Sequence, residues 1–302
     1  MSLDHDQVMK PVNKLRKLIS RIDANSTPDD VHDLRTNIRR FEAMSEALFP
    51  DERKIEGGGR KRKTILKDLD RLRKRAGKVR DLDVLTQAAA TIHPKGEEQC
   101  SVQLLEHLGA ERERKARKLA AEIDPVRRSL RRDLKSVASA LSGILQRKKD
   151  GAAEDQVSTD ATAKAAKMAA RMGTPRHLGR ANLHPYRLQI KELQDVLRIA
   201  ASPTRPRLID DLGDVKDAIG EWHDQEELIS IAEKTLDHKS GCRLKAELKR
   251  IAQEKYDHAL RLAEQLRKTY LRSSRPAGKG HPSASRGIPR PEVWEATSLL
   301  TA

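Results

Sequence analysis

The chain has 302 residues, 35% of them charged and 2% aromatic, and its 61 Lys and Arg outweigh 45 Asp and Glu to give a formal charge of +16. Leu, Ala, Arg, Lys and Glu dominate, which excludes a β-sandwich and sets an all-α fold, with length enough for two ordinary domains. No run approaches the 18 or so consecutive apolar residues of a membrane span, and residues 1–14 lack the apolar core of a signal peptide, so a cytoplasmic protein is expected.

Helical periodicity begins with Val8, Val12, Leu15 and Ile19. Thr27, Pro28, Asp29 and Asp30 then read as the N-cap, N1 proline and acidic first turn of a second helix that runs to about Phe49 and Pro50. A glycine loop at 57–59 precedes a third helix over roughly 61–92, ended by His93, Pro94 and Gly96. A fourth covers about 98–122, and Asp124 and Pro125 open a fifth reaching about Gln146. Residues 148–160 are polar and broken by glycine, as a linker would be. A short Ala-rich helix at about 161–172 is followed by helices over roughly 183–201, 204–237 and 239–271. The remainder, 272–302, is rich in Pro, Gly, Ser and Arg and is expected to be a disordered basic tail. The expected organisation is therefore a first bundle at 1–147, the linker, and a second bundle at 161–271.

Two segments recur. Residues 31–41 (VHDLRTNIRRF) align with 183–193 (LHPYRLQIKEL) at a constant offset. Apolar residues stand at 31, 34, 38 and 41 in one copy and at 183, 186, 190 and 193 in the other. His32, Arg35 and Arg39 match His184, Arg187 and Lys191, a spacing of i, i+3, i+7 that puts each set on one helical face. The basic stripe follows the apolar one by a residue, about 100° around the helix, so it flanks the buried seam instead of opposing it. A second pair, residues 76–85 and 219–228, keeps Gly77 and Gly220, then a base before Asp81 and Asp224. Close helix packing is the expected reason for the glycines, and an orienting ion pair for the aspartates.

The strings HDLRTNIRR (32–40), KVRDLDVL (78–85), LHPYRLQIK (183–191) and IGEWHD (219–224) resemble the paired signatures of the conserved histidine α-helical domain, the CHAD family, over about residues 8–271. That resemblance implies two pseudo-symmetric four-helix bundles from an internal duplication, a basic central channel, and inorganic polyphosphate as the ligand, polyphosphate granules being one address to expect. Carried over by position, it implies ligand contacts from His32, Arg35, Arg39, Arg40 and Arg80, and from His184, Arg187, Lys191 and His223. Glu42, Glu192 and Gln194 stand where the family tends to continue with bases, which weakens the expected grip.

Guanidinium forks pair bidentately with phosphate oxygens and ammonium groups act as point charges, so a row of such donors is what a polyphosphate receptor needs. The interval 60–80 holds eleven bases against Asp68 and Asp70; of these Lys63, Lys67 and Arg73 are expected to face the ligand. Arg127, Arg128, Arg131, Arg132 and Lys135 fit a solvated face and a ligand contact equally well.

No cofactor or metal is expected. Cys100 and Cys242 are remote in sequence without CxxC spacing, and His238 with Cys242 offers only two ligands. Glu111, Glu113 and Lys115 form an ExExK string, but residues two apart on a helix diverge by about 200° and cannot chelate one ion. GxxxxGK[ST], HExxH and GxSxG do not occur, so nothing specific points to an enzyme. The rival ligands are a nucleic acid, for which only Trp222, Trp294, Phe41, Phe49, Tyr186, Tyr256 and Tyr270 are available to stack on bases, and an acidic partner surface.

Overall fold

A computed structural model of the protein describes residues 5–48, 59–147, 165–173, 177–200, 206–237 and 241–271. Among these residues there are helices, turns and no strand, so the all-α expectation holds. In chain order the helices are α1 (His5–Arg21), α2 (Pro28–Leu48), α3 (Gly59–Ala89), α4 (Glu98–Ile123), α5 (Arg127–Arg147), α6 (165–173), α7 (Arg180–Ala200), α8 (Pro206–Thr235) and α9 (Arg243–Leu266), with a π-helical turn at Arg267–Leu271. Their ends lie within a few residues of the expected ones. The expected linker and tail lie outside the described residues.

The chain forms two compact units. The first comprises residues 1–151 together with 230–247, and the second 152–229 together with 248–302, so the last turn of α8 and the first of α9 belong to the first unit. In the first unit α1 packs on α2 and α5, and α3 on α2 and α4. Leu15, Ile19, Leu34, Ile38, Leu69, Leu72, Leu119, Ile123 and Leu134 fill its interior. The second has its own core from Met168 and Met172 of α6, Leu183 to Leu193 of α7, Leu212 to Trp222 of α8, and Ala259 and Ala263 of α9. The apolar stripe of each repeated segment is buried in its unit: Val31, Leu34, Ile38 and Phe41 in one, Leu183, Tyr186, Ile190 and Leu193 in the other, while Leu188, off the stripe, is exposed.

Helix ends are fixed by side chains as the sequence implies. Thr27 Oγ1 accepts the Asp30 N–H (3.2 Å), capping α2. Gly96 takes a φ of 81°, a left-handed turn that suits glycine alone, between α3 and α4. Arg127 donates to the Ile19 (2.6 Å) and Ile22 (2.7 Å) carbonyls at the end of α1, which removes it from the ligand candidates of α5 and makes it a C-terminal cap. Arg112 bridges α4 to α3 by donating to buried Asp83 (2.6 Å) and to the Ser26 carbonyl (2.8 Å).

Two cysteines remote in sequence meet in the first unit. Cys100, at the start of α4, and Cys242, just before α9, are both buried beside Glu97. Burial, then the Glu97 carboxylate and the neighbouring thiol, push the Cys100 thiol up to about 12.

Candidate functional site: two basic crevices

In the first unit the expected residues occupy facing sides of α2 and α3. Steps of three and four residues put His32, Arg35, Arg39 and Glu42 on one face of α2, and Lys63, Lys67, Asp70, Lys74, Gly77 and Asp81 on one face of α3. Arg35 crosses between them: its guanidinium lies 3.5 Å from Asp81, and its Cζ is the nearest atom, at 4.0 Å, to where a Cβ on Gly77 would stand. His32 is exposed, with Nε2 3.5 Å from Thr36 Oγ1. Arg39, Lys63 and Lys67 are exposed, and Arg80 is half-buried. Arg40 is exposed as well, but five residues beyond Arg35 it stands about 140° around the helix, off this face.

Arg73 has other partners. Its guanidinium is held by Glu42 (3.1 Å) and by Asp70, so its charge is largely neutralised within the protein. Glu42 thus acts by capturing a base of α3. Lys74 also pairs with Asp70 (2.7 Å), and the two cations hold that carboxylate below its usual range.

The second unit builds the same constellation more tightly. Arg187 of α7 reaches α8, where its Nε donates to the Lys216 carbonyl (3.1 Å). A Cβ on Gly220 would stand 2.8 Å from one terminal guanidinium nitrogen and 3.1 Å from Cζ. The expected close packing at this glycine takes a particular form: it leaves room for an arginine of the facing helix to lie along α8. His184 stacks on His223 with ring centroids 4.1 Å apart and a tilt of 35°. Nδ1 of His184 is buried and makes no hydrogen bond among the described residues. Burial, then the neighbouring His223 and Arg187, hold His184 below the ordinary histidine value, against the pull of Asp224. Burial raises the Asp224 carboxyl, opposed by Arg187 and His223. Lys191 is half-buried on the same face, and Gln194 next along it is buried, donating to the Ile209 carbonyl (2.9 Å) of α8.

The aromatic side chains are built into the packing. Phe41, Tyr186 and Trp222 are buried. Trp222 meets Tyr256 at 5.5 Å between centroids and donates to Glu226 (3.0 Å), and Tyr270 donates to Asp211 (2.7 Å). Phe49 and Trp294 lie outside the described residues. The ExExK string is also taken up by local pairs, Arg114 with Glu111, and Arg117 with Glu113 (3.2 Å).

What sequence reasoning undervalued is the pair of glycines. The available signal was their recurrence, in each half, downstream of a matching arginine. Within each unit, a helix bearing His and Arg beside a buried seam faces a helix bearing Gly and then Asp, and together they define an all-helical protein that repeats this arrangement in both units. The chain belongs to the CHAD family: the CHAD domain matches residues 7–233. No curated protein matches the chain. Among the described residues no helix is long and apolar enough to cross a membrane.

Proposed function

We propose that the protein binds inorganic polyphosphate, without turning it over, through the His, Arg and Lys side chains gathered in each of two halves that arose by internal duplication. The observation that carries this is the recurrence, in each unit, of an arginine laid across a glycine of the facing helix, beside an aspartate and on the same face as a histidine. Such an arginine is held in place before any ligand arrives, so less side-chain freedom is lost on binding. His32, Arg39, Arg80, Lys63 and Lys67 would add donors in the first half, with Lys191 and His223 in the second, whereas Arg40, off this face, would only add to the positive field. Arg73 would contribute chiefly once a polyanion competes with Glu42 and Asp70 for its guanidinium.

Polyphosphate is favoured over nucleic acid because, among the described residues, the aromatic rings lie in or pack against the cores and offer bases little to stack upon. The deciding experiment is competition of labelled polyphosphate against RNA and DNA at matched salt. Polyphosphate is expected to win, with an affinity that falls steeply as salt rises. Equal competition by nucleic acid would defeat the proposal, and liposome binding that survives excess polyphosphate would favour an anionic surface instead.

Gly220→Ala offers a local test, since the added methyl displaces the Arg187 guanidinium, a flexible side-chain end, and not backbone. Loss of one charge-assisted contact is expected to weaken polyphosphate binding about tenfold. Gly77→Ala, whose methyl would meet Arg35 at ordinary contact distance, should leave binding unchanged when both are measured by fluorescence anisotropy.

The pH response follows from His184. In the free protein its proton affinity is depressed, whereas a bound polyanion raises it, so binding takes up a proton. Affinity is therefore expected to rise as pH falls through the range in which His184 is protonated in the complex but not in the free protein, and His184→Gln should flatten that slope in a titration repeated at several pH values.

A further inference from the structure

Outside the two crevices, the first unit gathers Glu97, Cys100 and Cys242, all buried, with one ligand atom of each within 4.8 Å of the others. The backbone explains the meeting. Glu97 is the N-cap residue of α4 and Cys100 lies in that helix's first turn. Cys242 directly precedes α9, and its carbonyl accepts the Ala246 N–H (3.2 Å). Glu97 is already oriented: Oε1 accepts the Arg243 backbone N–H (2.8 Å), and Oε2 stands 3.9 Å from Cys242 Sγ. One carboxylate oxygen is thus anchored to α9 while the other is turned toward the thiols.

We propose that Glu97, Cys100 and Cys242 form a binding site for one thiophilic divalent cation of the Zn²⁺ or Cd²⁺ class. Two sulfurs and a carboxylate oxygen are the donor set that such closed-shell ions prefer, whereas Mg²⁺ and Ca²⁺ require oxygen alone. Around a tetrahedral zinc, a carboxylate oxygen at about 2.0 Å and a sulfur at about 2.3 Å stand roughly 3.5 Å apart, and two sulfurs roughly 3.8 Å apart. The 3.9 Å between Oε2 and Sγ is within tenths of an ångström of the oxygen–sulfur edge. The fourth position is completed by water. As each metal–sulfur bond forms, the thiol proton leaves to solvent, and the ion fastens the start of α9 to the start of α4. The sequence alone pointed away from a metal because CxxC spacing is absent, yet ligands gathered by tertiary packing need no such spacing.

The test uses the reduced full chain in phosphate-free buffer, titrated with Cd²⁺ while the thiolate-to-metal charge-transfer band is followed in the ultraviolet. A band saturating at one ion per chain is expected, displaced by Zn²⁺ and accompanied by a rise in thermal midpoint. Cys242→Ser and Cys100→Ser should each weaken binding on the order of 100-fold, and Glu97→Gln about tenfold, with helicity retained in circular dichroism. Absence of the band in the unaltered chain overturns the proposal, and this needs no variant to fold. So does a band that persists in the double serine variant, since other groups would then hold the ion. Binding of polyphosphate enters neither measurement.

Discussion

Exchanging Arg35 and Arg187 together for glutamate is expected to weaken polyphosphate binding by roughly 100-fold, two charge-assisted contacts at about 1.5 kcal/mol each. The control is Arg117→Glu with Lys118→Glu, which removes the same formal charge from exposed positions of α4 and should cost little. Arg112 and Arg114 of the same helix make a poorer control, because Arg112 bridges α4 to α3 and its reversal would damage the fold. A milder pair, Arg35→Gln with Arg187→Gln, avoids setting new carboxylates beside Asp81 and Asp224 and should still lose most of the affinity. Calorimetric titration with polyphosphate of fixed length reads the result. Equal losses in the crevice and control variants would mean that net charge alone binds the ligand.

Removal of Arg112 has the largest expected effect on stability. The Asp83 side chain is 3% exposed, and Arg112 reaches it from 29 residues away with its own side chain 22% exposed. Arg112→Ala leaves that carboxylate buried without its cation and the Ser26 carbonyl without its donor, a loss of about 3 kcal/mol. Urea unfolding followed by circular dichroism measures it. Arg114→Ala, at an exposed i,i+3 pair, should change stability by no more than about 0.5 kcal/mol. Arg112→Met combined with Asp83→Leu should recover much of the loss, since an apolar pair needs no charge compensation. A change below about 1 kcal/mol in Arg112→Ala would show that the pair is not what ties α4 to α3.

Local order was largely legible in the sequence. The apolar stripes at 31, 34, 38, 41 and at 183, 186, 190, 193 are the buried seams, because a helix of 3.6 residues per turn can hide only one side. The bases one residue on from each stripe duly stand at the seam's edge. What escaped notice depends on registers between helices, which no local pattern encodes. Glu42 captures Arg73 only because α2 and α3 are aligned so that positions 31 residues apart meet. Arg112 looked like one charge among many until α4 set it against Asp83. Likewise Cys242 reaches Cys100 only because the turn between α8 and α9 packs within the first unit.

That turn bears on how the protein can be divided. A cut in the segment between α5 and α6 looks natural, yet the amino-terminal fragment would lose the Thr235 carbonyl that accepts from Gln103 (3.1 Å) and the Arg243 N–H that Glu97 binds. The carboxy-terminal fragment would carry residues 230–247, whose neighbours were left behind. Expressed separately, the pieces should therefore be poorly soluble, and any gene fission at that point would have to keep both products in the same cell.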